Sequence, residues 1–214
     1  MIISRGRGYI FVHIPKTGGT AMTVALEHRA MADDILIGDT PKARRRKGRL
    51  VALRPAGRLW KHSTVADIAG IVTADELSRM LVFTLVRNPW DRMVSYWTWL
   101  RLQEFAHPAV VRAKGASFAQ FVADPATRAE IAASPYGRYV DGSAALFLRL
   151  EHLEEDQVPL VAHLGFRPDL PRVNETRRQR DWRGYYDDTT AGIVGETCAA
   201  DIDRFGYGFD DCSP

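Results

Sequence analysis

The sequence predicts an α/β fold: one domain spanning residues 1–214, with a central parallel sheet flanked by helices. Three short apolar runs, GYIFVHI (8–14), LVFTLV (81–86) and ALFLRL (145–150), read as buried strands because each is rich in Val, Ile, Leu or Phe. Helical patterns lie between them, and strands alternating with helices build parallel sheets. With 214 residues, 46% hydrophobic and 26% charged, the chain has the bulk properties of a globular domain able to bury a sizeable core.

The helices have recognisable starts. Thr17 to Thr20 leads into AMTVALEHRAMA, where Met22, Leu26 and Ala30 recur at spacing four. STVADIAGI (63–71) opens on hydroxyls suited to an N-cap. TADELSRM (73–80) sets Thr73 and Glu76 at capping-box spacing. NPWDRMVSYWTWLRLQEF (88–105) has Asn88 as N-cap and Pro89 at the first helical position. SFAQFVAD (117–124) is short, and the last helix is expected from about Thr190 to Phe205, stopping at Gly206. The stretches 40–58 and 106–116 read as loops or flaps, and 165–187 as mostly irregular. There is no internal repeat.

Several function classes are set aside by composition. No apolar run approaches the ~20 residues needed to cross a bilayer, and the N-terminus lacks the charged, apolar and small-residue segments of a signal peptide. Cys198 and Cys212 form neither a metal-spaced pair nor a disulfide framework, which fits a reducing cytoplasm. Net charge is +3, unevenly spread: eight basic residues and no acidic one lie between Lys42 and Arg58. A second cluster holds Arg172, Arg177, Arg178, Arg180 and Arg183. Such runs attract anions or stay solvated. No aromatic-interleaved or zinc pattern accompanies them, so no nucleic-acid partner is expected.

The chemistry concentrates in two strand-to-helix turns. In FVHIPKTGGTAM (11–22) the strand runs into Lys16, Thr17, Gly18, Gly19 and Thr20. A helix start aims backbone N–H groups and the positive end of its dipole at one point, which makes an anion site. Gly18 and Gly19 permit close backbone approach, Thr17 and Thr20 offer hydroxyls, and Lys16 adds a compact charge on a long stem. The ATP-type loop places its lysine after the glycines, in G-x-x-x-x-G-K-[ST]; here the lysine precedes them. In VRNPWDRMVSY (86–96), Arg87 ends the strand, and Asp91 and Ser95 share a helix face. An arginine at that edge suits a second phosphate, or pairs with Asp91. Two anion sites after two strands imply a ligand with two separated phosphates.

These two stretches resemble the nucleotide-binding elements of sulfotransferases that use 3′-phosphoadenosine 5′-phosphosulfate (PAPS), in particular the carbohydrate-sulfotransferase branch and its bacterial relatives. KHSTVADI (61–68), LRLEHLEED (148–156), LGF (164–166), VNET (173–176), YYDD (185–188) and DIDRFGYGF (201–209) look like later signatures of that family, so the resemblance runs nearly end to end. Ala21 departs from it, standing where relatives often carry serine. The resemblance implies a P-loop nucleotide-kinase-like architecture. It implies that Lys16, Thr17, Gly18, Gly19 and Thr20 hold the 5′-phosphosulfate while Arg87 and Ser95 hold the 3′-phosphate. It also implies PAPS as co-substrate, a hydroxyl acceptor on a sugar or small metabolite, and no metal.

His62 stands just before a helix start and titrates near neutrality, as a general base for an acceptor hydroxyl requires. The resemblance gives a histidine that role at the corresponding place. His13, inside a strand, reads as structural. Arg177 and Arg178 cover nucleotide or acceptor, or remain solvated. The charge of 42–58 suits an acidic acceptor such as a sulfated or uronic glycan. Two other readings stand beside sulfonate transfer: an ATP-dependent kinase with an atypical loop, and a non-catalytic nucleotide- or polyanion-binding protein.

Overall fold

The computed structural model describes residues 1–171, 179 and 181–211. Its strands are β1 (Ile2–Ser4), β2 (Tyr9–Val12), β3 (Ile35–Leu36), β4 (Leu81–Val86) and β5 (Ala145–Arg149). The first helices are α1 (Gly19–His28), α2 (Pro41–Arg46), α3 (Ala74–Arg79) and α4 (Pro89–Arg101). There follow α5 (Pro108–Gly115), α6 (Phe118–Ala123), α7 (Pro125–Ala132), α8 (Leu153–Asp156), α9 (Val158–Leu164), α10 (Asp188–Thr197) and α11 (Ala199–Phe205). No helix among the described residues is long and apolar enough to cross a membrane. The chain divides into two compact units, Met1–Val86 with Tyr136–Val173, and Arg87–Pro135 with Asn174–Pro214.

The first unit is the α/β unit. Its five strands lie in the order β3-β1-β2-β4-β5. The three strands expected from sequence are parallel neighbours, with Phe11 opposite Phe83 and Phe83 opposite Leu146. β1 and β3 extend the sheet antiparallel, so the sheet is mixed. At three and two residues they are too short to leave a periodic signal. Alternate residues face opposite cores. Tyr9, Phe11, Phe83, Leu85 and Leu148 pack with Met22 and Leu26 of α1 and with Leu160 and Leu164 of α9. Ile10, Val12 and Val82 pack with Val65, Ile68, Ile71 and Val140 on the other side.

Local chemistry explains where the helices depart from expectation. The stretch 63–71 forms only a 3₁₀ turn at Ala66–Ile68. Its backbone is diverted, because Ala69 and Asp67 carbonyls accept from Ala56 and Gly57 N–H groups and Asp67 Oδ2 accepts from Thr64 N–H at 2.7 Å. The stretch 40–58 is not all loop: Thr40 caps α2, Lys42 donates to the Glu27 carbonyl in the last turn of α1, and Arg46 and Arg49 donate to the Met31 and Ala32 carbonyls just beyond it. These cations therefore satisfy the carbonyl end of a helix and the turn after it.

The second unit is helical. The region 106–116, expected as a loop, holds α5, started by the His107 ring and Pro108. The helix expected over 190–205 starts two residues earlier, where Asp187 and Thr190 form a capping box, and breaks at Cys198 (φ −109°, ψ 14°) into α10 and α11. Trp90, Trp182, Tyr186 and Phe209 pack edge-to-face in its core.

Candidate functional site

The turn from β2 into α1 is built by backbone constraint. Lys16 adopts φ 68°, the left-handed region, and Gly18 follows at φ 83°. For lysine that conformation costs about 1–2 kcal/mol, and residues held this way cluster where a loop serves a site. Thr17 is fully buried and its hydroxyl donates to the Ile14 carbonyl at 3.0 Å, which closes the turn and commits that hydroxyl to the protein. Gly18 is the N-cap of α1, and its carbonyl accepts from Ala21 N–H at 3.0 Å and Met22 N–H at 3.4 Å. The N–H groups of Gly19 and Thr20 therefore precede the helical ladder and face outward from the helix start. N–H groups and a dipole end placed this way are the donors that helix starts offer to anions.

Gly19 has a different reason to be glycine. A Cβ there would lie 2.1 Å from His13 Cδ2. The His13 ring, 6% exposed, occupies that space and meets the His62 ring edge-on at 4.7 Å between centroids. His13 thus packs between the start of α1 and the candidate base. Its main-chain carbonyl accepts from His62 Nδ1 at 2.7 Å. A carbonyl only accepts, so Nδ1 carries the proton and Nε2 keeps its lone pair. Burial pushes the His62 pKa down to about 4, against the opposing pull of the His13 carbonyl. Burial, then the neighbouring His62, holds His13 well below its ordinary range. Both rings are therefore neutral near pH 7. Trp60 closes the cluster, its ring edge-on to His62 at 5.0 Å. Sequence reading takes His13 as structural, which its burial bears out, without its link to His62, and does not single out Trp60. His13 acts through a carbonyl and a ring contact that no motif encodes, while Trp60 had only its proximity to His62 in the chain as a signal.

In the helical unit, Asn88 accepts from Trp90 N–H at 3.1 Å and donates to the Gly208 carbonyl at 2.9 Å, fixing the start of α4. Arg87 pairs with Asp91 through Nε at 2.8 Å and Nη2 at 2.5 Å. Asp91 is 1% and Arg87 12% exposed by side chain, so the ion pair is buried. Ser95, one turn further along the same face, is buried too. Trp90 packs in the core, with Nε1 donating to the Ala191 carbonyl at 2.9 Å. Arg177 and Arg178 lie outside the described residues. Among the described residues, no group of three or more His, Cys, Asp or Glu is placed to hold a metal ion.

No family model matches the chain, and no curated protein matches it. Among solved structures it is similar to mouse sulfotransferase SULT7A1 complexed with PAP, at a TM-score of 0.36 and 15% identity, over 92% of this chain and 66% of that one. The chain therefore spans just under two thirds of that protein. At that score and identity the likeness assigns neither ligand nor activity here.

Proposed function

We propose that the protein transfers a sulfonate group from PAPS to an acceptor hydroxyl, on a sugar or small metabolite. The observation that supports this reading is the placement of His13 against both the start of α1 and His62: its ring edge lies against Gly19 and its carbonyl accepts from His62. The motif resemblance along the chain supplies the nucleotide. PAPS brings the sulfonate and a 5′-phosphate that leaves with the bonding electrons.

The residues then divide the work. The N–H groups of Gly19 and Thr20 bind the 5′-phosphate side, helped by the Thr20 hydroxyl. Thr17 and Gly18 hold the loop in shape. Lys16 neutralises charge growing on the departing oxygen, a role worth about 3–4 kcal/mol for a well-placed donor. Arg87 and Ser95 anchor the 3′-phosphate. His62 Nε2 takes the acceptor proton while the His13 carbonyl keeps the other ring nitrogen protonated, a contribution of about 10²–10⁴-fold. No residue in this scheme needs a metal.

Incubation with PAPS labelled in its sulfonate tests the reading, using 4-nitrophenol, methyl β-D-glucoside and methyl β-D-glucuronide as acceptors. Labelled ester that disappears in His62→Ala is the expected result. Phosphoryl transfer from MgATP to these acceptors, with none of the label moved from PAPS, would replace sulfonate transfer with kinase chemistry.

A further inference from the structure

Of the five tryptophans, Trp90, Trp97 and Trp182 are buried and Trp99 is half-buried, while Trp60 is 45% exposed. This exposed indole is held in place. Ser63, fully buried, accepts from Trp60 N–H at 2.9 Å through its hydroxyl. The same hydroxyl lies within donating distance of the Arg58 carbonyl, 2.9 Å, and the Trp60 carbonyl, 2.8 Å. Ser63 N–H also donates to the Trp60 carbonyl at 3.0 Å. The turn 58–63 is thus tied to one buried side chain, and that turn presents both the indole and the candidate base. The Arg58 guanidinium sits 5.8 Å from the indole centroid, and Arg58 itself is exposed.

We propose that Trp60 and Arg58 form the acceptor subsite, and that the acceptor is an acidic pyranoside, a sugar ring bearing a carboxylate or sulfate. This rests on the sulfonate-transfer reading for the identity of the reaction, but its geometry is independent of it. The C–H face of a pyranose carries partial positive charge and stacks on the negative face of an indole, as aromatic edges do. The Trp60 and His62 rings lie 5.0 Å apart between centroids at an interplanar angle of 86°, so a sugar stacked on the indole lies beside the base. Arg58, drawn to the same ring, supplies the cation for the acidic substituent. Neutral phenols would use the indole but gain nothing from Arg58.

Saturation-transfer NMR on the intact protein, with and without 3′,5′-ADP, tests this without turnover. The probes are methyl β-D-glucuronide, methyl β-D-glucoside and 4-nitrophenol. Transfer to the glucuronide ring protons is expected, with affinity falling about tenfold in Trp60→Ala and largely retained in Trp60→Phe. Arg58→Ala should reduce the preference for glucuronide over glucoside about fivefold. Glucuronide transfer unchanged in Trp60→Ala, or binding of 4-nitrophenol with neither sugar, overturns the subsite. Trp60-dependent glucuronide binding in a protein that ignores 3′,5′-ADP upholds the subsite and removes sulfonate transfer instead. Melting curves of Trp60→Ala matching the unaltered protein guard against reading unfolding as lost binding.

Discussion

The main-chain carbonyl of His13 accepts a hydrogen bond from Nδ1 of His62 at 2.7 Å, while the His13 ring fills the space that a side chain at Gly19 would need. One residue thus sets the tautomer of the candidate base and the packing of the helix start that cradles the candidate anion. Position 62 is therefore tuned from position 13, and the two should respond together to mutation and to pH.

His62→Ala should lower turnover about 10²–10⁴-fold while leaving 3′,5′-ADP affinity within twofold, because the imidazole handles a proton and not the nucleotide. Steady-state rates with calorimetry on the same preparation check this. An unchanged rate removes His62 from the chemistry.

The pH profile should be displaced. With its pKa near 4, His62 stays neutral and able to accept a proton well below pH 6. The acidic limb of kcat/KM is expected at about pH 4–5, not at the ordinary histidine value near 6.5. Stability follows the same sign. Between pH 6.5 and 4 the unfolded chain binds protons at His13 and His62 that the folded chain does not, so stability falls as pH falls through that window. Glu27, whose pKa is raised by burial, works in the opposite direction near its own titration. Melting temperatures from pH 4 to 7 provide the check. A shallower response in the His13→Phe, His62→Phe pair would tie the difference to these rings, the buried Met1 amine, pushed down to about 5, keeping a slope of the same sign.

Gly19→Ala should destabilise by about 1–3 kcal/mol, because the new methyl meets the buried His13 ring. Gly48→Ala and Gly115→Ala, where nothing lies within 4 Å of the new Cβ, should be neutral or slightly stabilising. At Lys16 the sign reverses with the choice of residue. Lys16→Gly relieves the left-handed backbone and should be about 1 kcal/mol more stable than Lys16→Ala, while both lose the ammonium and slow turnover alike. Urea titration separates the two variants.

Arg87→Ala should cost about 3–5 kcal/mol, because it leaves the Asp91 charge buried without this partner. Removing Asp91 as well should recover most of that stability. If Arg87 anchors a phosphate, 3′,5′-ADP binding stays weak in the stable double variant. Binding restored along with stability would make the arginine structural.

The sequence legibility of this protein tracks how local each signal is. The capping box of Thr73 and Glu76 and the Asn88–Pro89 start of α4 form as read, because each depends on neighbours within three residues. The parallel strands were legible because their apolar runs are continuous, with β2 and β4 buried on both faces and β5 half-buried. β1 and β3 were not, since two or three residues carry no period and their pairing is settled by partners elsewhere in the chain. The basic stretch was legible only in part. Charge alone does not say which cations serve the fold: Lys42, Arg46 and Arg49 donate to carbonyls in the last turn of α1 and just after it, while Arg58 is exposed. The Lys16 loop and His62 were singled out by residue type; the His13 link between them, a carbonyl hydrogen bond and a ring contact, left no mark in the sequence.

Calorimetric titration with 3′,5′-ADP, with MgATP as the control, bears most directly on the proposal of a two-phosphate site serving sulfonate transfer. Micromolar binding of 3′,5′-ADP, at least tenfold tighter than MgATP and weakened in the Arg87, Asp91 double variant, is the expected result. Tighter binding of MgATP, or heat from neither nucleotide, would contradict it.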